Sequence, residues 1–380
     1  MHAVTKTQPI PFLDLSTQYR ALETEWLAAI RETGARGSFI LGPHTQAFEK
    51  EFADYVGVKH AIAVANGTDS LFLSLRALGI GGGDEVITMP FTFFASAETI
   101  DMAGATPVFA DILPDSFCLD PAGIRAKITA KTKAIVPVHI FGYPSEMGDI
   151  MEIAKKHKLA VIEDCAQSFG ALRNGKVVGS IGDTGSFSFY PTKVLGCYGD
   201  GGMVTTDSDA VNAHIRRLRN HGAVKPFVHT EIGMNSRLDE VQAAVLRIKL
   251  RHIKDDIAGR RKVAAEYTQR LAGSPVKTPV LPKNGTHVFN LYTIRTPKRD
   301  AVRQALTDAQ IGTSQCYPQG LHLQEVYKHL GHRPGSLPVC ERVTTETLSL
   351  PIYPGMPLEH IERVCEVLLA AVKGYRPSQK

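Results

Sequence analysis

The sequence predicts an α/β protein with a large domain on a mostly parallel sheet and a smaller C-terminal α/β domain. Three observations carry this. From about residue 60, short apolar β-branched runs alternate with helical stretches, the pattern of strands buried on both faces and covered by helices. That rhythm breaks at a glycine-rich stretch near residues 196–202. A proline cluster, Pro275 and Pro279 to Pro282, then marks a linker. At 380 residues, 43% hydrophobic and 21% charged, the chain can bury its cores without disulfide or metal staples.

The elements follow in order. His60 to Ala65 reads as a strand and Ser70 to Leu78 as a helix. Glu85 to Met89 is a strand, with a helix near Ala95 to Ala103. Pro107 to Asp111 is a strand, with a helix around Pro121 to Ile128. Ala134 to Ile140 is a strand, with a helix near Met147 to His157, and Ala160 to Asp164 is a strand again. Gly185 to Tyr190 and Gly202 to Thr206 are strands with no helix between them, so they are expected antiparallel. A helix from Asp209 to Asn220 precedes a long one from Leu238 towards Leu271. His287 to Arg295 restarts as a strand, and the remainder reads as βαβ. The expected domains are residues 1–250 and 251–380. The first 40 residues, with one helix near Tyr19 to Thr33, fit on either.

Several classes are excluded by pattern. The net charge of +5 comes without a run of five basic residues, which argues against nucleic acid but suits a small anionic ligand. No apolar run approaches the ~20 residues of a membrane span. Met1 to Lys6 has no apolar segment behind its charge, so no secretory leader is read and a cytoplasmic protein is expected. The six cysteines form no C-x-x-C pair, and His322, His329 and His332 lack ligands at metal spacing. No metal is expected.

Four features sit where strands end, the place where open α/β sheets bind ligands. In Ala65 to Ser70 a strand gives way to a helix, and the free N–H groups, Gly67 and the Thr68 hydroxyl form a phosphate seat. Taken alone the stretch reads as an ordinary N-cap, with Asp69 better suited to capping than to a ligand. Glu163 and Asp164 end an apolar strand, as a cap, a surface turn, or a carboxylate for a protonated ring nitrogen. Lys193 follows the apolar run Ser186 to Tyr190. Most lysines are solvated, but one pinned between a core strand and a glycine turn has a depressed pKa and a nucleophilic amine. Gly199-Asp200-Gly201-Gly202 reads as a hairpin turn, or as glycines that let the backbone pass close to whatever Lys193 holds. A phosphate seat, a strand-end carboxylate and a strand-end lysine in this order are what a pyridoxal phosphate site requires.

With those residues assembled, the chain resembles the DegT/StrS family of nucleotide-sugar aminotransferases, within the fold type I pyridoxal phosphate enzymes. The resemblance runs from Phe12-Leu-Asp-Leu15 through Ala65 to Asp69, Val161 to Gln167, Ser186 to Lys193, Tyr198 to Gly202 and Gly233 to Asp239. It ends at Tyr317-Pro318, His322 and Leu350-Pro351. It implies that Lys193 is the Schiff-base lysine and proton shuttle and that Asp164 pairs with the pyridine nitrogen. Gln167 would face the phenolic oxygen, and Gly67, Thr68 and Ser188 would hold the phosphate. Phe93 would stack on the ring. Asn235 would reach the phosphate from the partner subunit of a homodimer with shared active sites. Arg237 and His322 would meet the substrate.

The resemblance implies a transaminase that cycles between pyridoxal and pyridoxamine phosphate. It would take the amino group from glutamate and pass it to a nucleotide-linked ketosugar. Val194 stands where the family often has Asn, and Cys197 replaces a small residue. Leu195 to Gly202 is similar to enzymes that aminate C3 of UDP-linked 2-acetamido-3-keto sugars, for cell-surface glycan or lipid A synthesis. The alternatives are a dTDP-3-keto or 4-keto-6-deoxysugar aminotransferase, and a non-catalytic regulator or sensor that keeps the fold. Relatives acting as dehydratases carry His at the Lys193 position.

Overall fold

Pattern and periodicity become one seven-stranded sheet in the computed structural model, which describes residues 8–373. Met1 to Lys6, read above for the lack of a leader, lie outside the described residues. Helices α1 (Ser16–Arg36) and α2 (Pro43–Val56) come first. The alternating run follows as β1 (His60–Val64), α3 (Gly67–Ala77), β2 (Glu85–Thr88), α4 (Ala95–Met102), β3 (Thr106–Phe109), α5 (Pro121–Lys127), β4 (Thr132–Ile135), α6 (Met147–His157) and β5 (Ala160–Asp164). Short strands β6 (Leu172–Arg173) and β7 (Lys176–Val177) lead into β8 (Thr184–Ser188) and β9 (Gly202–Thr206).

The sheet order is β1-β9-β8-β5-β4-β2-β3. β9 runs antiparallel to both its neighbours, and every other pair among β8, β5, β4, β2 and β3 is parallel. The missing helix between β8 and β9 does produce an antiparallel pair. Each strand splits its side chains by the two-residue period. Ile62, Val64 and Val204 meet Leu73 of α3, and Val86 and Ile162 meet Leu71 and Leu75. On the opposite face, Ile87, Ile135 and Val161 meet Ile150 and Ile153 of α6, while Ala63, Phe187 and Met203 meet Phe48 and Phe52 of α2. All carboxyl ends of the parallel strands therefore open on one edge.

After α7 (Asp209–Leu218) comes a hairpin of β10 (Ala223–Lys225) and β11 (Val228–His229), then α8 (Glu240–Arg270). At 31 residues α8 is about 46 Å long. It passes unbroken through position 250. Ala243, Leu246 and Ile253 belong to the core around β8 and β9, whereas Val263, Ala264 and Tyr267 belong to a second core. The served core thus changes between Ile253 and Val263. That second core holds β13 (Tyr292–Arg295), α9 (Arg299–Asp308), β14 (Thr347–Leu350) and α11 (Leu358–Val372), with α10 (Pro338–Glu346) leading into β14 and β12 (Gly285–Thr286) pairing β6. β13 and β14 are antiparallel, so the βαβ expectation for this region is corrected. Two helices and a long proline-containing connection bring the chain back from the far end.

The N-terminal segment joins both cores: Ile10 sits in the second one, and α1 lies along α8. Among the described residues no helix is long and apolar enough to cross a membrane.

Candidate active site

The turn after β1 builds the first wall of the site. The Asn66 side chain, not Asp69, caps α3: its Oδ1 accepts the Asp69 N–H at 2.8 Å. Asn fits because its short carbonyl reaches the third N–H of a helix while its own backbone stays extended. The Gly67 and Thr68 N–H groups open the helix, where no preceding carbonyl within it can reach them. Gly67 has to be glycine, since a Cβ there would lie 2.6 Å from the Cβ of Ser188 at the end of β8. Burial pushes the Asp69 carboxyl up, against hydrogen bonds with Ser236 and Asn66.

The glycines of 199–202 make room for this turn and its surroundings. Gly202 pairs with both Val64 and Ser188, and a Cβ on it would fall 2.2 Å from the Asn66 carbonyl oxygen. Gly199 backs onto Gln242 and Gly201 onto Leu238. Only Asp200 of this stretch faces the site.

The two carboxylates ending β5 point to opposite faces and do different things. Glu163 is fully buried. It accepts the Ile181 and Gly182 N–H groups at 2.7 and 2.8 Å and meets His139 Nε2 at 3.0 Å. The Ser145 N–H donates to His139 Nδ1 at 2.9 Å, so the proton sits on Nε2 and points at Glu163. Burial opposes ionisation, but His139 and the backbone N–H groups hold the Glu163 carboxyl below its ordinary range. Cys165 completes a buried trio of metal-ligand types with these two. The imidazole and carboxylate lone pairs of that trio are already committed, so the cluster is a clamp between the strand ends.

Asp164 looks the other way. The Ser96 hydroxyl donates to its Oδ2 at 2.7 Å and the Ala166 N–H to its Oδ1 at 3.1 Å. Thr92 Oγ1 in turn lies 2.9 Å from Ser96 Oγ. Burial raises the Asp164 carboxyl, with those hydrogen bonds and Lys193 opposing. It is a carboxylate held in place by two hydrogen bonds. Lys193 follows β8 by a turn in which its own N–H donates to the Tyr190 carbonyl at 2.9 Å. Burial lowers its amine below the ordinary lysine range, against the pull of Asp164 and Cys316.

These walls enclose a cavity of about 690 Å³. Gly67, Thr68, Phe93, Asp164, Gln167, Ser188 and Lys193 all line it. Gln167 is pinned by two bonds: its Oε1 accepts the Phe141 N–H at 2.8 Å, and its Nε2 donates to the Tyr317 hydroxyl at 2.9 Å. Phe93 stands exposed at the mouth. Asn235, Arg237 and His322 are not among the lining residues. Asn235 is exposed on the strip that bridges to Asn220. Arg237 donates to the Asn220 side chain at 3.3 Å. His322, expected at a substrate or on the surface, is buried against Glu341 at 3.2 Å.

Sequence reasoning missed Ser96, Thr92, Tyr190 and Asp200, all lining residues. Ser96 carried one signal, its position in the first turn of the helix that follows Phe93.

Asp164 is a carboxylate oriented by Ser96 and the Ala166 N–H, the start of α3 offers the Gly67 and Thr68 N–H groups, and Lys193 brings an amine of lowered pKa to the same cavity. An aldehyde carrying a protonated ring nitrogen and a phosphate fits all three, so this fold and site define a pyridoxal phosphate enzyme of fold type I. The chain belongs to the DegT/DnrJ/EryC1/StrS aminotransferase family, whose model matches residues 20–369. The aminotransferases of this family use pyridoxal phosphate, and this chain is one of those enzymes.

It is 46% identical to the "Pleiotropic regulatory protein" of Geobacillus stearothermophilus, over 94% of this chain and 97% of that one. It is 44% identical to the UDP-N-acetyl-3-dehydro-alpha-D-glucosamine 3-aminotransferase of Acidithiobacillus ferrooxidans, over 98% of this chain and all of that one. The structure of S. venezuelae DesV in complex with a ketimine intermediate superimposes with a TM-score of 0.94 at 40% identity, covering 97% of this chain and 100% of that one. Other relatives carry the names of dTDP-amino-sugar transaminases.

Proposed function

We propose that this aminotransferase moves an amino group from glutamate to C3 of a UDP-linked 2-acetamido-2-deoxy-3-keto-hexose, in the cytoplasm, for cell-surface glycan or lipid A sugars. The observation that carries the substrate is the full-length similarity to the Acidithiobacillus ferrooxidans 3-aminotransferase. The motif around Cys197 supports it only as a mark of kinship. Cys197 is buried, with its thiol on the Phe189 and Gly199 carbonyls at 3.0 and 3.2 Å, and it does not line the cavity.

The chain's own groups divide the work. The Gly67 and Thr68 N–H groups, with the Thr68 and Ser188 hydroxyls, bind the phosphate. Asp164, oriented by Ser96 and the Ala166 N–H, holds the ring nitrogen protonated. Gln167, braced by Tyr317, would face the phenolic oxygen, and Phe93 would cover the ring. Lys193 would hold the cofactor and, as a free amine, move the proton at the reacting carbon; burial lowers its pKa and so favours the neutral amine that accepts that proton. The bound cofactor supplies the electron sink and carries the amino group between the half-reactions.

The test is a panel of UDP- and dTDP-linked 3-keto and 4-keto sugars offered with glutamate, read by product mass. The UDP-linked 2-acetamido-3-keto sugar is the expected acceptor. A clean preference for a dTDP-linked 4-keto-6-deoxy sugar refutes the assignment. A protein that binds no pyridoxal phosphate and aminates nothing favours the regulator instead.

The working unit is a homodimer in which Asn235 of each chain completes the other's phosphate site. Support comes from the exposed strip that holds it: Phe227 is 97% exposed and Ile232 83%, apolar area that a second copy would cover. Mixing Lys193→Ala with Asn235→Ala chains should regenerate one intact site per heterodimer. Confirmed heterodimers that regain no activity, while the Asn235 homodimer is defective, would refute the shared site.

A further inference from the structure

The turn that carries Lys193 is held from behind by residues that never enter the cavity. Gln242 of α8 brackets Tyr198, accepting its N–H at 2.8 Å and donating to its carbonyl at 3.2 Å. Two helical turns further along α8, Lys249 Nζ donates to the Gly196 carbonyl at 2.7 Å and lies 4.3 Å from the centre of the Tyr198 ring. Tyr19 and Trp26 of α1 close over the same ring, at centroid distances of 5.7 and 5.5 Å. Gly196 has no room for a side chain, since a Cβ on it would lie 2.5 Å from the Pro191 carbonyl oxygen. Lys249 is buried, and among the described residues it forms no ion pair with a carboxylate within 4 Å. A buried ammonium without such a partner is costly, and packing alone would be met by a Met side chain.

We propose that Lys249 is a positioning residue: its ammonium fixes the turn at Gly196 and Tyr198, and through that turn the Lys193 amine. This rests on the reading of Lys193 as the reactive amine. The ammonium forms a charge-assisted bond to the carbonyl and a cation–π contact to the ring, and both weaken when it loses its proton. The groups facing it are Cys197 and Tyr198 on the turn and Asp256 on α8, while Tyr19 of α1 packs against the Tyr198 ring. Asp256 itself faces Gln18, Arg260 and His252. Burial pushes Lys249 down to about 8, with Cys197 and Asp256 opposing. Burial pushes the Cys197 thiol up to about 11 and raises Tyr198. The tether is therefore charged below about pH 8 and is released as pH rises through that value.

Trp26 is the chain's one tryptophan, so its emission reports on this cluster. In the holoenzyme, emission titrated from about pH 6.5 to 10 should show a transition near pH 8 that Lys249→Met lacks. The Met variant should lose about 10- to 100-fold in kcat, the scale of a misplaced reacting group, with KM for both substrates within about threefold. Lys249→Arg, which stays charged, should restore most of kcat and remove the fall in kcat above about pH 8 expected of the wild type. A Met variant with kcat within twofold of wild type overturns the proposal, as does an Arg variant that neither restores kcat nor changes the alkaline limb. If the Met variant does not fold, the wild-type titration and the Arg profile decide the matter in the same two directions. Full activity in Lys193→Ala would instead sink the reading of the site while leaving the Trp26 titration intact.

Discussion

Lys193→Ala is expected to abolish transamination while leaving the protein folded. Proton transfer by a positioned side chain contributes about 10²–10⁴-fold, and Lys193 is also proposed as the amine that holds the cofactor, so the loss should exceed about 10³-fold. The fold should survive for an electrostatic reason. Burial lowers the Lys193 amine below its ordinary range, so its charged form opposes folding. That opposition is fully present below the folded pKa and fades as pH rises towards the unfolded value. Removing the amine removes the opposition, and the melting temperature at neutral pH should not fall. Circular dichroism melts and steady-state rates on the same preparation check both halves. Near-normal turnover would show the site assignment to be wrong.

Asp164→Asn is the second large effect. The amide keeps the size of the carboxylate and can still meet Ser96 and the Ala166 N–H, so packing is preserved. It loses the charge that keeps a ring nitrogen protonated. Proton abstraction should slow by at least about 10²-fold, equivalent to about 2.7 kcal/mol of barrier. Cofactor affinity should change modestly, because the proposed phosphate seat lies on a different element, the start of α3. Single-turnover absorbance with glutamate measures the step, and equilibrium dialysis of the cofactor measures the affinity. Equal rates for Asn and Asp would remove the electron-sink role.

The two predictions rest on residues of unequal legibility. Lys193 and Asp164 could be read directly, because each ends an apolar run, and the end of a buried parallel strand is a fixed place in an open sheet. The turn at Asn66 and Gly67 was equally visible, although the cap fell to Asn66. His322, which the resemblance placed at the substrate, is buried where Gly320 and Glu341 close on it and does not line the cavity.

What the sequence by itself determined is therefore the alternation of strands and helices from β1 to β5, the antiparallel turn at β9 and the three groups at strand ends. All of these depend on local periodicity, on whether a helix intervenes and on where a run stops. Only the tertiary structure decided which neighbours those groups have. Ser96 reaches Asp164 across 68 positions of chain, Tyr317 reaches Gln167 across 150, and Lys249 reaches Gly196 across 53. It also decided that Glu163 serves a buried clamp while Asp164 faces the cavity, and that Gly202 makes room for the Asn66 carbonyl. Such pairings arise when register and helix packing bring distant segments within hydrogen-bond range, and no local pattern of residues encodes that distance.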